Sequence, residues 1–135
     1  MRALISVYDK SGVDDLARGL ADLGWELVAS GQTAAHLEEL GLDVTRVEDV
    51  TASPELLGGR VKTLHPRIHA GILARRDRED DLDALAEQGI EPFDLVCVNL
   101  YPFERVAAQH GVREEEAVEH RLLPRIVRDL CLARS

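Results

Sequence analysis

Gly58-Gly59-Arg60-Val61-Lys62-Thr63-Leu64-His65-Pro66 gathers two glycines, two cations, a hydroxyl and an imidazole into one short stretch. Glycines permit tight turns and let backbone approach a ligand closely. Arg60 and Lys62 alternate, so in an extended segment both would point to one side and could meet an anion there. The plain alternative is a solvated charged loop, although such loops seldom set paired glycines beside alternating cations. A second cluster, Ser30-Gly31-Gln32-Thr33, places two hydroxyls and a glycine between a strand-like run and a helix-like run. Backbone amides and the helix dipole at such a junction suit a phosphate, and Lys10 in an earlier loop could add charge. Ser30 and Thr33 serving only as helix caps is the competing reading. Asn99-Leu100-Tyr101-Pro102-Phe103 puts an amide and a phenol after an apolar run, with simple packing of Tyr101 an equal alternative. His65 and His69 stand at i, i+4, also a metal-ligand spacing. No third ligand and no HExxH glutamate accompany them, so a structural or substrate-side role is expected and no metal site.

These clusters need a scaffold, and the hydrophobic pattern supplies one. Ala3–Val7 is a short apolar run read as a strand, ended by Asp9-Lys10-Ser11-Gly12. Ser11 is expected to cap a helix reaching Leu23, with Val13, Leu16, Ala17, Leu20 and Leu23 on one face. Trp25–Ala29 reads as a second strand, residues 33–40 as a helix stopped by Gly41, and Val44–Val47 as a third strand. Asp77–Gln88 and Phe103–Gln109 read as outer helices, and Glu114–Glu119 opens another. Phe93–Leu100 is apolar throughout, as a central parallel strand should be. Strand alternating with helix predicts an α/β domain: an open, mostly parallel sheet with helices on both faces. Ligands of such sheets bind beyond the carboxyl ends of the strands. The expected site loops are therefore Tyr8–Gly12, Ser30–Thr33, Thr51–His69 and Asn99–Phe103.

Composition narrows the function. The chain has 135 residues, 45% of them hydrophobic and 30% charged, which suits one ordinary domain with a core of its own. A net charge of −9 argues against nucleic acid, whose phosphates it would repel. It does not exclude a small anion held at a locally basic site. Cys97 and Cys131 form no CxxC pair, so neither zinc nor redox chemistry is supported. Cys97 sits in an apolar run and reads as a small buried hydrophobe. No signal peptide and no membrane-length apolar run is visible, so a cytoplasmic location is the expectation.

Four segments, ISVYDKSG at Ile5–Gly12, LVASGQT at Leu27–Thr33, ELLGGRVKTLHPRIHAGILARR at Glu55–Arg76 and DLVCVNLYPF at Asp94–Phe103, occur in order. Together they resemble the amino-terminal, inosine-monophosphate cyclohydrolase domain of the bifunctional purine-biosynthesis enzymes, whose other half is an aminoimidazole-carboxamide ribonucleotide formyltransferase. The resemblance covers residues 1–119 and implies a methylglyoxal-synthase-like, three-layer fold. It also implies a reaction. The carboxamide nitrogen of a formamido-imidazole ribonucleotide attacks its own formyl carbon, the ring closes, and water leaves to give inosine monophosphate. No metal or redox cofactor is required. Catalysis would come from proton removal, from donors near the developing oxyanion, and from holding the two groups in attack geometry. Carried over by motif, Tyr8, Asp9, Lys10, Ser30, Gly31, Gln32 and Thr33 match the phosphate- and ribose-side loops. Arg60, Lys62 and Thr63 match the segment that closes on the base, with Lys62 as a charge that stabilises or relays a proton. Asn99 and Tyr101 match the pair beside the reacting groups, Tyr101 acting through its phenol. The implied partner is a phosphorylated imidazole or purine ribonucleotide, with no nucleic acid and no membrane. A homodimer is an open expectation.

Two departures from the family pattern stand out. Residues 30–33 read SGQT where the family usually has SGGT; a Cβ at Gln32 is costly if φ is positive there, and its side chain could crowd the phosphate. After EEAVE the family continues into an IDIGG segment and an AAAKN helix that carry a catalytic aspartate and lysine. Here residues 120–135 read HRLLPRIVRDLCLARS. This divergent basic tail looks like translation in a shifted frame, and the formyltransferase domain is not matched at all. An impaired cyclohydrolase domain is therefore expected, against two rivals. One is a non-catalytic module of the same fold that binds a phosphorylated nucleotide. The other is a poorly folded product with exposed apolar surface. Methylglyoxal synthase activity is disfavoured, because GGRVKTLHP and NLYPF belong to the purine branch.

Overall fold

The computed structural model describes residues 1–59 and 61–100. Arg60, Tyr101, the expected helices at 103–109 and 114–119, and the tail lie outside the described residues. Four strands, β1 (Arg2–Ser6), β2 (Glu26–Ala29), β3 (Val44–Arg46) and β4 (Leu95–Val98), form one sheet in the order β3-β2-β1-β4, with every pairing parallel. Five helices accompany them among the described residues: α1 (Val13–Asp22), α2 (Gly31–Glu39), α3 (Val47–Thr51), α4 (Pro66–Leu73) and α5 (Glu79–Glu87).

Strand side chains alternate between faces, so one run of residues feeds two cores. Ala3, Ile5, Leu27 and Ala29 face one side and pack with Val13, Ala17 and Leu20 of α1 and Ala34 and Leu37 of α2. Leu4 and Val28 face the other side and pack with Val47 of α3, Ile68 of α4, and Phe93. This is the expected sheet with helices on both faces. Its layers are held by aliphatic burial, worth about 1.5–3 kcal/mol per large side chain. The first two crossovers, through α1 and α2, lie on one face, as right-handed connections in one direction require. The chain then returns past β1 to β4, and the packing changes face. The switch point of the sheet thus falls between β1 and β4, where a crevice at the strand ends is expected.

Several local expectations need correction. The cap of α1 is Gly12 rather than Ser11. The Ser11 hydroxyl and amide instead both donate to Asp9 Oδ1, at 2.6 and 2.9 Å, closing a side-chain turn. Leu16 is 36% and Leu23 75% exposed. At 100° per residue they lie about 60° and 80° round the helix from Val13, at and beyond the edge of the buried stripe. Residues 66–69, expected in the Thr51–His69 loop, instead open α4, which runs to Leu73. Pro66 at its first turn needs no N–H partner, and His65 caps it, its Nδ1 accepting from the Arg67 amide at 3.1 Å. β4 was expected in the centre, yet among the described residues β1 is its one strand neighbour. Its side chains alternate in burial, and Val96 and Val98, 42% and 63% exposed, occupy the face opposite Cys97. An apolar run alone does not separate a central strand from one covered on a single face.

The start of β4 is latched to the start of β1. The Arg2 amide donates to Asp94 Oδ2 at 2.6 Å, the Asp94 amide donates to the Arg2 carbonyl at 2.7 Å, and Arg76 pairs with Asp94 Oδ1 at 2.6 Å. The Phe93 amide donates to the Gly71 carbonyl of α4 at 2.9 Å. These contacts fix the register that brings Asn99 level with the loop after β1.

Candidate functional site

At the carboxyl end of β1, Asn99 clasps the loop that follows. Its Oδ1 accepts from the Tyr8 amide at 2.8 Å and the Asp9 amide at 3.4 Å, and its Nδ2 donates to the Asp9 carbonyl at 2.7 Å. Expected beside the reacting groups, Asn99 here spends its amide on shaping the Tyr8–Asp9 loop across the β1/β4 switch point. Lys10 Nζ turns back to the Tyr8 carbonyl at 3.5 Å, and Tyr8 itself is 51% exposed.

At the end of β2, α2 starts at Gly31, earlier than expected, with Ser30 as the residue before it. The first amides of a helix, here Gly31, Gln32 and Thr33, have no intrahelical acceptor. The positive φ falls on Gly31, at 52°, where glycine suffers no Cβ penalty. Gln32 is not among the described residues with positive φ, so the departure from SGGT costs no backbone strain here. Ser30 is fully buried, yet its Oγ has no hydrogen-bond partner among the described residues. Thr33 is 1% exposed, accepts from the Val7 amide at 3.3 Å and donates to the Val7 carbonyl at 3.0 Å. That hydroxyl ties the start of α2 to the end of β1, so the two loops move as one.

The third part is the glycine-rich segment, and it is not extended. Leu57, Gly58 and Gly59 have φ of 53°, 63° and 80°, three left-handed residues in succession. For leucine this costs roughly 1–2 kcal/mol, a kind of strain that collects at ligand clamps. The Gly59 amide closes on the Leu56 carbonyl at 3.0 Å and the Lys62 amide on the Gly59 carbonyl at 3.4 Å. This fold-back carries Lys62 to the start of α2. The point where a side-chain carbon would sit on Gly31 lies 3.9 Å from Lys62 Nζ and 3.9 Å from each carboxylate oxygen of Glu55. A side-chain carbon on Gly59 would sit 2.5 Å from Glu55 Oε1 and push that carboxylate away, and the φ of 80° favours glycine there. Thr63 lies in the turn that follows, its carbonyl accepting from the His65 amide at 3.0 Å. His65 is spent on capping α4, and His69 Nδ1 lies 3.1 Å from the His65 carbonyl, a structural pairing. No cluster of three or more metal-ligating side chains occurs among the described residues. Behind the segment lies a cavity of about 120 Å³, lined in part by Glu48, Thr51, Pro54, Lys62 and His65. Glu48 Oε2 is buried without a partner among the described residues.

The structure therefore brings Lys62 to Gly31 and Asn99 to the Tyr8–Asp9 loop, and it joins both regions through Thr33. Arg60 and Tyr101 lie outside the described residues. Glu55 escaped the sequence reading, although it opens the quoted motif. Its signal was the pair of glycines between it and Lys62, which leaves room for the two side chains to fold over Gly59.

A family model described as MGS-like domain matches residues 12–126. The chain belongs to that family. Among curated relatives of this MGS-like domain, the bifunctional purine biosynthesis protein PurH of Lacticaseibacillus casei (strain BL23) is 57% identical over 118 residues, covering 87% of this chain and 23% of that protein. PurH of Cyanothece sp. (strain PCC 7425 / ATCC 29141) is 58% identical with the same coverage. The chain thus spans about a quarter of the length of these relatives. The crystal structure of ForH shares the MGS-like fold with a TM-score of 0.69 and 36% identity, covering 98% of this chain and 78% of that one. Among the described residues no helix is long and apolar enough to cross a membrane.

Proposed function

We propose that this MGS-like domain is of the inosine-monophosphate cyclohydrolase type. It would close 5-formamido-imidazole-4-carboxamide ribonucleotide to inosine monophosphate with loss of water. The observation that carries this reading is the convergence at Gly31. Three helix amides without an intrahelical acceptor, a buried Ser30 hydroxyl without a partner among the described residues, and Lys62 Nζ 3.9 Å from the Gly31 Cβ position come together at one strand end. Such a helix start favours a dianionic phosphate, and the similarity to purine-biosynthesis relatives supports a purine-pathway ribonucleotide as its carrier.

In this reading the ribonucleotide phosphate sits against Gly31, Gln32 and Thr33, and the Tyr8–Lys10 loop, shaped by Asn99, receives the ribose. Lys62 stands at the mouth of the glycine-rich fold-back. In the structure its ammonium faces the Gly31 end; the motif-implied role requires the flexible side chain to turn to the base, where it would stabilise the oxyanion on the former formyl oxygen or relay the proton lost by the carboxamide nitrogen. Arg60, Thr63 and Tyr101 keep the roles the motif implies, on the base side and beside the reacting groups. The test is the ultraviolet assay of ring closure with purified protein, beside Lys62→Ala. Turnover abolished by Lys62→Ala supports the reading. Turnover indifferent to Lys62 sinks the role of that residue. No turnover from a chain that still binds inosine monophosphate would favour a binding module of the same fold.

A further inference from the structure

Glu55 has no part in the reaction just described, yet its carboxylate lies where the phosphate is placed. Both of its oxygens are 3.9 Å from the point a side-chain carbon would take on Gly31, and Lys62 Nζ is 3.9 Å from the same point. Oε1 also lies against the Cβ-free face of Gly59, and the left-handed run from Leu57 to Gly59 is what folds Glu55 and Lys62 back together. A carboxylate at a helix start is the one negative side chain the dipole favours.

We infer that Glu55 is a built-in competitor for the anion end of the site. Its carboxylate, which makes no hydrogen bond or ion pair among the described residues, occupies space beside the phosphate's place at Gly31, and an arriving phosphate must push it aside. This rests on reading the start of α2 as the phosphate end. Three features point the same way. The Ser30 hydroxyl beneath is buried and has no partner among the described residues, so it is left to meet an acceptor that Glu55 does not supply. Among the described residues, neither Glu55 nor Lys62 is held by an ion pair that would keep it elsewhere. Glu55 is exposed on its outer side, so it can swing into solvent. Displacement leaves Lys62 with the ligand as its counter-charge, coupling phosphate arrival to the placement of Lys62. The device discriminates against weakly charged anions: a dianion outbids the carboxylate for the helix start, whereas a monoanion merely replaces like with like.

Calorimetric titration of the full chain with inorganic phosphate, and separately with inosine monophosphate, tests this. Glu55→Gln and Glu55→Ala are expected to bind both about two- to fivefold more tightly at low ionic strength, the size of a charge effect at a helix start. The gain should shrink as salt screens it. Glu79→Gln, the same charge change on exposed α5, should leave affinity unchanged. Equal or weaker binding by both Glu55 variants, with the parent chain binding normally, would overturn the role of Glu55 alone. A tightening that Glu79→Gln shares would overturn it too, since net charge would then be the cause. If the parent and all variants bind neither phosphate nor inosine monophosphate, the phosphate end itself is misplaced and both readings fall.

Discussion

Replacing Thr33 by valine removes one oxygen and keeps the shape. In the structure that oxygen accepts from the Val7 amide at 3.3 Å and donates to the Val7 carbonyl at 3.0 Å. Val7 is 8% exposed and Thr33 1%, so water cannot easily take over. A buried polar group left unpaired costs about 1–3 kcal/mol. The 3.3 Å contact belongs at the low end, and a methyl group is itself better buried than a hydroxyl. The net loss for Thr33→Val is therefore about 2 kcal/mol. With a urea m-value of about 1.5 kcal/mol per molar for a domain of this size, the midpoint should fall by a little over 1 M. Thr33→Ser keeps the oxygen and removes one methyl group, costing about 1 kcal/mol. Valine should thus be the worse substitution although it preserves volume. If urea unfolding shows valine to be equal to the parent, or milder than serine, the clasp between β1 and α2 does not contribute as argued. The clasp also bears on function. A hydroxyl has one proton to donate, and the Val7 carbonyl takes it. While the clasp holds, a ligand can receive a hydrogen bond from Thr33 through its backbone amide alone. Thr33→Ser should therefore bind inorganic phosphate like the parent.

Asp94 is held below the usual carboxylate range, first by the Arg2 amide and then by the Arg76 guanidinium. A depressed carboxylate stabilises the fold above its unfolded pKa of about 4 and loses that contribution as pH falls through its folded pKa. Asp94→Asn should therefore lower the urea midpoint at pH 7, with the gap narrowing as pH falls through and below the ordinary carboxylate range; a gap of constant size would refute the latch. Gly71→Ala should destabilise by about 1–3 kcal/mol, because a Cβ there would sit 3.0 Å from the Phe93 ring and 3.1 Å from the Glu91 carbonyl; thermal unfolding reads this out, and an unchanged midpoint would mean the helix shifts freely. Asn99→Leu should speed hydrogen exchange at the Tyr8 amide while leaving the amides of β2 protected; uniform loss of protection would show global unfolding instead. Lys62→Ala should weaken inosine monophosphate binding about tenfold, and calorimetry showing no change would remove Lys62 from the site.

The alternation of apolar strands and amphipathic helices was readable because burial imposes it. Ala3, Ile5, Leu27 and Val28 had to be strand residues, and Val13, Ala17 and Leu20 had to be one helix face. The site motifs were readable because phosphate chemistry restricts which residues serve. Harder to read were features in which partners near or far in the chain compete for one side chain or one face. Ser11 looked like a cap, but Asp9 reached it first. His65 had the spacing of a metal ligand, and Pro66 turned it into a helix cap. The exposure of Val96 and Val98 follows from what covers each face of β4, which no single run of sequence records. Gln32 looked strained only because the motif does not say which of its residues carries the positive φ; it is Gly31.

Glu55 shows the same principle at the site itself. Read along the chain, it is one of many acids in an acidic protein, and its exposure would normally make it unremarked. Its place is fixed by two glycines, one in its own segment and one at the start of α2. At Gly59 a Cβ would strike the carboxylate, and at Gly31 the positive φ turns the helix start towards it. Thr33 then links that helix start to Val7, and Asn99 links the loop beyond Val7 to β4. A negative ligand arriving at Gly31 therefore meets a carboxylate and an ammonium placed side by side, on loops joined by hydrogen bonds rather than merely adjacent. Neither Thr33 nor Asn99 bonds to Glu55 among the described residues, so moving Glu55 leaves their hydrogen bonds in place. In the proposed reading the carboxylate responds to the ligand while the hydrogen-bonded frame of Thr33 and Asn99 stays in place, which would divide binding response from scaffold within one small sheet edge.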